Sequence, residues 1–172
     1  MQVEVSVQDC FLEASLKSIP EYTDTAIASE TWETWFERWL EILQSHLPPA
    51  QGYELSLRLT DDTEIQALNA QYREQNKPTD VLAFAALELD CPQSVEMRSL
   101  PLYLGDIIIS VDTANYQAQQ HGHTLKTELA WLAAHGLLHL LGWDHPDEAH
   151  LVQMLTQQDI LLQAFNLAIS PA

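Results

Sequence analysis

Positive charge is scarce in this sequence: seven Lys and Arg stand against 25 Asp and Glu in 172 residues, a formal net charge of −18. That balance is the opposite of the basic footprint with which a protein grips nucleic acid unaided, because such affinity comes largely from cationic side chains displacing counterions. Cysteine is scarce too. Cys10 and Cys91 are far apart and form no chelating or redox spacing, so both read as free thiols of a reducing compartment. MQVEVSVQDC contains no basic-then-apolar leader, and no stretch reads as a transmembrane span, so the expectation is a cytoplasmic protein with no membrane partner. Internal repeats and low-complexity segments are lacking as well.

What is present is apolar mass. With 47% hydrophobic and 19% charged residues, the chain is expected to form a single domain over residues 1–172 with a substantial core. The stretch that organises it is ELAWLAAHGLLHLLGWDH, residues 128–145. From 129 to 141 it carries no charge, no proline and one glycine, which predicts a helix buried nearly all round, with histidines as its main polar groups. His135 and His139 are four apart, neighbours on one helical face that can reach a single ion. Gly142 supplies a helix stop in the left-handed conformation, and the turn brings His145 back beneath the same face. Three nitrogen ligands with a fourth position left for water is the layout of a catalytic zinc site. A lone histidine on an apolar face is more often a hydrogen-bonded core residue, but three weakly basic groups gathered in one apolar pocket without partners would be costly.

One residue type is missing from that stretch. Zinc peptidases of the H-E-x-x-H pattern carry a glutamate directly after the first histidine as general base, and here that position is Gly136.

Around this stretch the pattern alternates strand and helix. Residues 2–9 alternate Val with polar residues and predict a strand; the segment to about residue 29 reads as a surface connection. Trp32, Trp35, Phe36, Trp39, Leu40 and Leu43 fall at helical spacing in 31–47, with Thr31 as the expected cap and Pro48 ending the run. Such a stripe is core far more often than a base-stacking platform; His46 reads as surface. A second strand is predicted over 53–59, a helix from about 61 to 75 ending near Arg73, and a third strand over 81–89. A loop over 89–100 leads to a fourth strand, 102–110, apolar enough for burial on both faces, with a bulge at Gly105-Asp106. Asp112 is the expected cap of a short helix to about 120. His121 and His123 fall in the following loop; they can bind metal, but loop histidines are usually solvated. A last amphipathic helix over 147–165 is expected to turn Leu151, Met154, Leu155, Leu161 and Leu162 inward. This order argues for an α+β domain with a small sheet covered by helices.

HGLLHLLGWDH resembles the signature of the bacterial YbeY family, metal-dependent endoribonucleases of ribosomal RNA maturation. Two further segments, LNAQYREQNKPTDVLAF at 68–84 and LGDIIIS at 104–110, are similar to the family at the expected places. The chain departs from the family's usual Ser and Pro at Ala83 and Ala85 and from its common Tyr at Trp143, none of them a candidate ligand. The resemblance implies a zincin-like fold with a four-stranded mixed sheet, a metal cleft bordered by the 68–84 segment, and a functional arginine at Arg73. It also implies a single-stranded RNA substrate, the 16S rRNA precursor near its 3′ end on the small ribosomal subunit. Ribosomal proteins or a ribosome-assembly GTPase are the partners it suggests.

Chemistry points the same way. Three neutral imidazoles leave Zn2+ its full charge, so bound water is acidified into the physiological range and hydrolysis is the natural reaction class. A phosphodiester gains negative charge during attack, and Arg73 is the guanidinium placed to stabilise it; read blandly, it is a solvated helix-end cation. His135 and Arg73 are thus the candidate catalytic residues, and His135, His139 and His145 the candidate metal ligands. Zn, Ni, Cu and Co all suit three histidines. The spacing alone also admits a peptidase-like zinc metallohydrolase, weakened by Gly136, and a structural staple, which needs a closed fourth position. Asp144 reads as a hydrogen-bond partner of a ligand imidazole rather than the fourth ligand.

Overall fold

The computed structural model describes residues 2–11, 27–86 and 101–167. Most of the expected 10–29 connection, the 89–100 loop, the end of the predicted third strand and Cys91 lie outside them. Four strands form one mixed sheet in the order β1-β2-β4-β3: β1 Gln2–Asp9, β2 Gly52–Thr60, β3 Val81–Ala85 and β4 Leu102–Ser110. The pairs β1/β2 and β2/β4 are parallel, and β3 runs antiparallel to β4 at the edge. Five α-helices cover it: α1 Ser29–Ile42, α2 Asp62–Arg73, α3 Val111–His121, α4 Leu125–Leu140 and α5 Glu148–Gln163. The architecture is the α+β fold the sequence predicts.

Period-two alternation divides the sheet between two cores. Leu55, Leu57 and Leu59 of β2, with Ile107 and Ile109 of β4, join the large cluster built with α1 and α4. Ile108, between those isoleucines, turns to the other face and packs with Leu82 and with Ile65 of α2 in a smaller cluster. The near-continuous apolar run of β4 therefore reflects burial on both faces. In β4 the register slips opposite Glu54 and Leu55, and Gly105 adopts φ +138°. A Cβ there would stand 2.2 Å from the carbonyl oxygen of Phe84, so only glycine lets β3 approach at the bulge.

The tryptophan stripe is core: Trp32, Phe36 and Trp39 have no exposed surface, and Trp39 Nε1 donates to the carbonyl of Leu161 at 2.9 Å, tying α1 to α5. Several boundaries differ from expectation. α1 starts at Ser29 because Ala28 is already extended and its carbonyl accepts from Thr31 N–H, so Thr31 is helical and not the cap. The helix also ends at Ile42, and Gln44–His46 forms a separate 3₁₀ turn. Ser110, not Asp112, caps α3 by accepting from Thr113 N–H. Thr124 caps α4, whose first turn thus precedes the apolar run that revealed it. In α5, Met154, Leu161 and Leu162 are buried as expected, whereas Leu151 and Leu155 remain 38% and 41% exposed.

Candidate metal centre

The three histidines come together because of how α4 ends. Gly142 takes φ +91°, its N–H bonds to the carbonyl of His139, and Trp143 N–H bonds to that of Leu138. This pair of bonds is the Schellman closure, and it reverses the chain so that His145 faces the helix it has just left. Ring centroids of His135 and His139 are 4.5 Å apart, with His145 at 6.2 and 5.8 Å from them. One ligand atom from each lies within 4.8 Å of the others. His135 and His139 are partly buried and His145 is exposed, so the group opens to solvent on the His145 side.

Electrostatics favour neutral rings. Burial lowers the pKa of both helical histidines, and His139, which also feels His135 and His145, falls to about 4. Nδ1 of His135 lies 3.1 Å from the side-chain oxygen of Gln158, a fully buried residue of α5. A ring that donates from Nδ1 carries a bare lone pair on Nε2, and that atom faces His139 Nε2 at 3.0 Å. Two neutral imidazoles converging by their nitrogens, with a third alongside, are a donor set that fits a divalent transition metal.

Sequence reasoning missed Gln158, since a buried glutamine on a distant helix gives no spacing signal. It also assigned Asp144 the role Gln158 holds. Asp144 instead accepts from the backbone N–H of His145 at 2.8 Å, shaping the turn. Asp80 is a second residue not singled out: its charge opposes the burial effect on His135, while its side chain accepts from Val81 N–H and from Gln117. Arg73, in the last turn of α2, is exposed and close enough to contribute, as the smallest of several causes, to the lowered pKa of His139. A cleft of about 470 Å³ on the α2 side is lined by Arg58, Tyr72, Phe84 and Asp106 and contains none of the three histidines. Tyr72, immediately before Arg73, packs edge-on against Phe84 there.

Gly136 settles which side of the helix is free. A Cβ on it would stand 2.8 Å from Cγ2 of buried Ile107, so this position is pressed onto β4 and a glutamate side chain has no room. The glutamate of the H-E-x-x-H pattern could stand here only if Ile107 shifted, which weakens the peptidase reading further.

An α+β scaffold with a three-histidine group at the end of a buried helix, and a glycine where zinc peptidases carry their base, defines a protein of the metal-capable class. The sequence model of one protein family, described as Endoribonuclease YbeY, matches residues 19–166. The chain belongs to the YbeY family, and it is a nuclease that acts on RNA. A relative named Endoribonuclease YbeY from Trichormus variabilis is 65% identical over 172 residues, covering 99% of this chain and 98% of its own. One of the same name from Nostoc is 63% identical over 176 residues, covering 99% and 94%. A solution structure from Thermotoga maritima shares the fold, with a TM-score of 0.56 at 21% identity over 95% of this chain and 91% of that one. None of the described helices is long and apolar enough to cross a membrane.

Proposed function

We propose that this chain is a metal-dependent endoribonuclease that cuts single-stranded RNA during ribosomal RNA maturation in the cytoplasm, at the 3′ end of the small-subunit rRNA, and takes part in ribosome quality control. The observation that carries this reading is the convergence of His135, His139 and His145 beside Arg73. In it, the three imidazoles hold one ion, Zn2+ by preference, and His135 is kept in its ligating tautomer by Gln158. Once bound there, the ion would supply Lewis acidity and acidify a water. Arg73 pairs with the scissile phosphate and stabilises the charge that grows on its non-bridging oxygens. Tyr72, 60% exposed beside the aromatic wall of the cleft, offers an unpaired base a stacking surface that a duplex cannot use.

The charge of −18 shapes what kind of ribonuclease this is. Bulk RNA is repelled, and a local cationic patch of ion, Arg73 and Lys77 engages only a few phosphates. Specificity therefore comes from docking on a small-subunit particle, where basic ribosomal proteins complement so acidic a surface and an assembly GTPase is a further partner. The test compares cleavage of a single-stranded RNA, the same sequence in a duplex, and small-subunit particles with unprocessed ends, with and without chelation. Slow single-strand cutting that accelerates on particles and stops on chelation is expected. Rapid cutting of naked duplex with no gain on particles would overturn the reading.

A further inference from the structure

We propose that His121, His123 and Glu128 form a second divalent transition-metal site, distinct from the three-histidine group. His123, expected from sequence to be a solvated loop residue, has a side chain only 5% exposed, and Glu128 beside it is 2% exposed. The local chain folds to bring them together. Gly122 closes α3 at φ +72°, its N–H bonded to the carbonyl of Ala118, and Thr124 then caps α4. That three-residue corner, 122–124, places His121 at the end of one helix and Glu128 in the first turn of the next, with His123 between.

Both imidazoles address the same carboxylate oxygen. His123 Nε2 hydrogen-bonds Glu128 Oε2, and His121 Nδ1 lies 3.8 Å from it. One ligand atom from each residue falls within 4.8 Å of the other two. Donor atoms around a tetrahedral zinc are about 3.3 Å apart, so small side-chain rotations suffice to close the set on an ion. The carboxylate gives the reason for a cation there. A buried carboxylate is costly unless paired, and among the described residues its side-chain partners are these two histidines, with no Lys or Arg. His121, 49% exposed, is the open side, where water completes the coordination.

Two histidines and one glutamate with open positions suit Zn2+ and its neighbours in the first transition row. Glu128 precedes His135 by seven residues on the same helix, roughly 10 Å along its axis. Paired catalytic metals sit about 3.5–4 Å apart, so this ion does not share the chemistry. Its place is at the α3–α4 corner, clamping the start of the helix that presents His135 and His139.

The experiment is calorimetric titration of chelator-stripped full-length protein with Zn2+, for wild type and for His121→Ala, Glu128→Gln, His139→Ala and His150→Ala. Two equivalents are expected for wild type and for His150→Ala, an exposed histidine outside both groups, and one for each of the other three. His121→Ala is expected to keep wild-type cleavage once loaded and to lose the part of the Zn2+-induced rise in thermal midpoint that His139→Ala retains. A single equivalent in wild type, or two in His121→Ala and Glu128→Gln, would overturn the proposal. Because the count is read separately for the two groups, loss of the His139 equivalent leaves this inference standing.

Discussion

The carboxamide of Gln158 bridges His135 Nδ1, 3.1 Å from its oxygen, and the carbonyl of Trp131, 3.5 Å from its nitrogen. A carbonyl only accepts, so the Trp131 contact fixes which end of the amide is nitrogen, and the oxygen end must then accept from His135 Nδ1–H. The tautomer that leaves Nε2 free to ligate is thereby selected from α5, by a residue of another helix. Gln158→Leu keeps volume and removes the acceptor. Metal affinity is expected to fall by roughly 10–100-fold, the usual cost of deleting such a partner. Gln158→Glu, which can still accept, is expected to retain affinity; competition with a chelator measures both.

Arg73 lies exposed at the end of α2, so its removal is expected to leave both fold and metal site in place. Arg73→Ala is expected to lower the cleavage rate by about 10²–10³, the scale of losing one donor to a developing anion. Zn2+ content by elemental analysis is expected to match wild type, while His135→Ala and His139→Ala lose the equivalent held by the three-histidine group. Full activity in Arg73→Ala with normal metal content would remove it from the mechanism.

Much of this arrangement was legible in the chain. His135, His139 and His145 follow from helical periodicity and a glycine stop, both local rules, and the sheet follows from alternation. What escaped depends on contacts between distant segments. Gln158 reaches His135 across 23 residues, and Glu128 becomes a buried carboxylate only once Gly122 folds His123 onto it. Cap positions slipped for a similar reason: Ser110 outcompetes Asp112 because Asp62 Oδ1 also takes its hydroxyl proton at 2.6 Å, a link made by tertiary structure.

Gly136 is where packing and chemistry meet. Alanine is the better helix former by about 1 kcal/mol, yet its methyl would press on Ile107 in a filled core, and overpacking costs about 1–3 kcal/mol. Gly136→Ala is therefore expected to be neutral to destabilising, read as an unchanged or lower urea midpoint. Gly136→Glu, which would restore the peptidase pattern, is expected to fail to fold and to show no peptide hydrolysis.

Glu64 accepts two hydrogen bonds from Arg58, and that pairing holds its carboxyl below the ordinary value of 4.5. A depressed carboxylate contributes stability that is present above its unfolded pKa and is lost as pH falls through the folded one. Both side chains are about one-third exposed, 34% and 36%, so the effect is modest. Wild type is expected to lose more stability than Glu64→Gln between about pH 5 and 3, measured by urea midpoints. Parallel pH profiles would show that the pair contributes nothing.

Salt dependence tests the acidic balance directly. Among the described cationic side chains, Arg38 is paired with Glu41, Arg58 with Glu64, and Lys126 lies over the ring of Trp35. Arg73 and Lys77 carry no such ion pair, and Arg73 is close enough to act on His139. If those two make the phosphate contacts, binding of single-stranded RNA should weaken with salt at a log–log slope of about −1.4, whereas a groove gripping six phosphates gives about −4. Lys77→Ala is expected to reduce the slope by about 0.7 without altering metal content. A steep slope unaffected by Arg73→Ala or Lys77→Ala would mean that RNA is held elsewhere on the surface, and the local cationic patch would then be too small an account of how so acidic a protein meets its substrate.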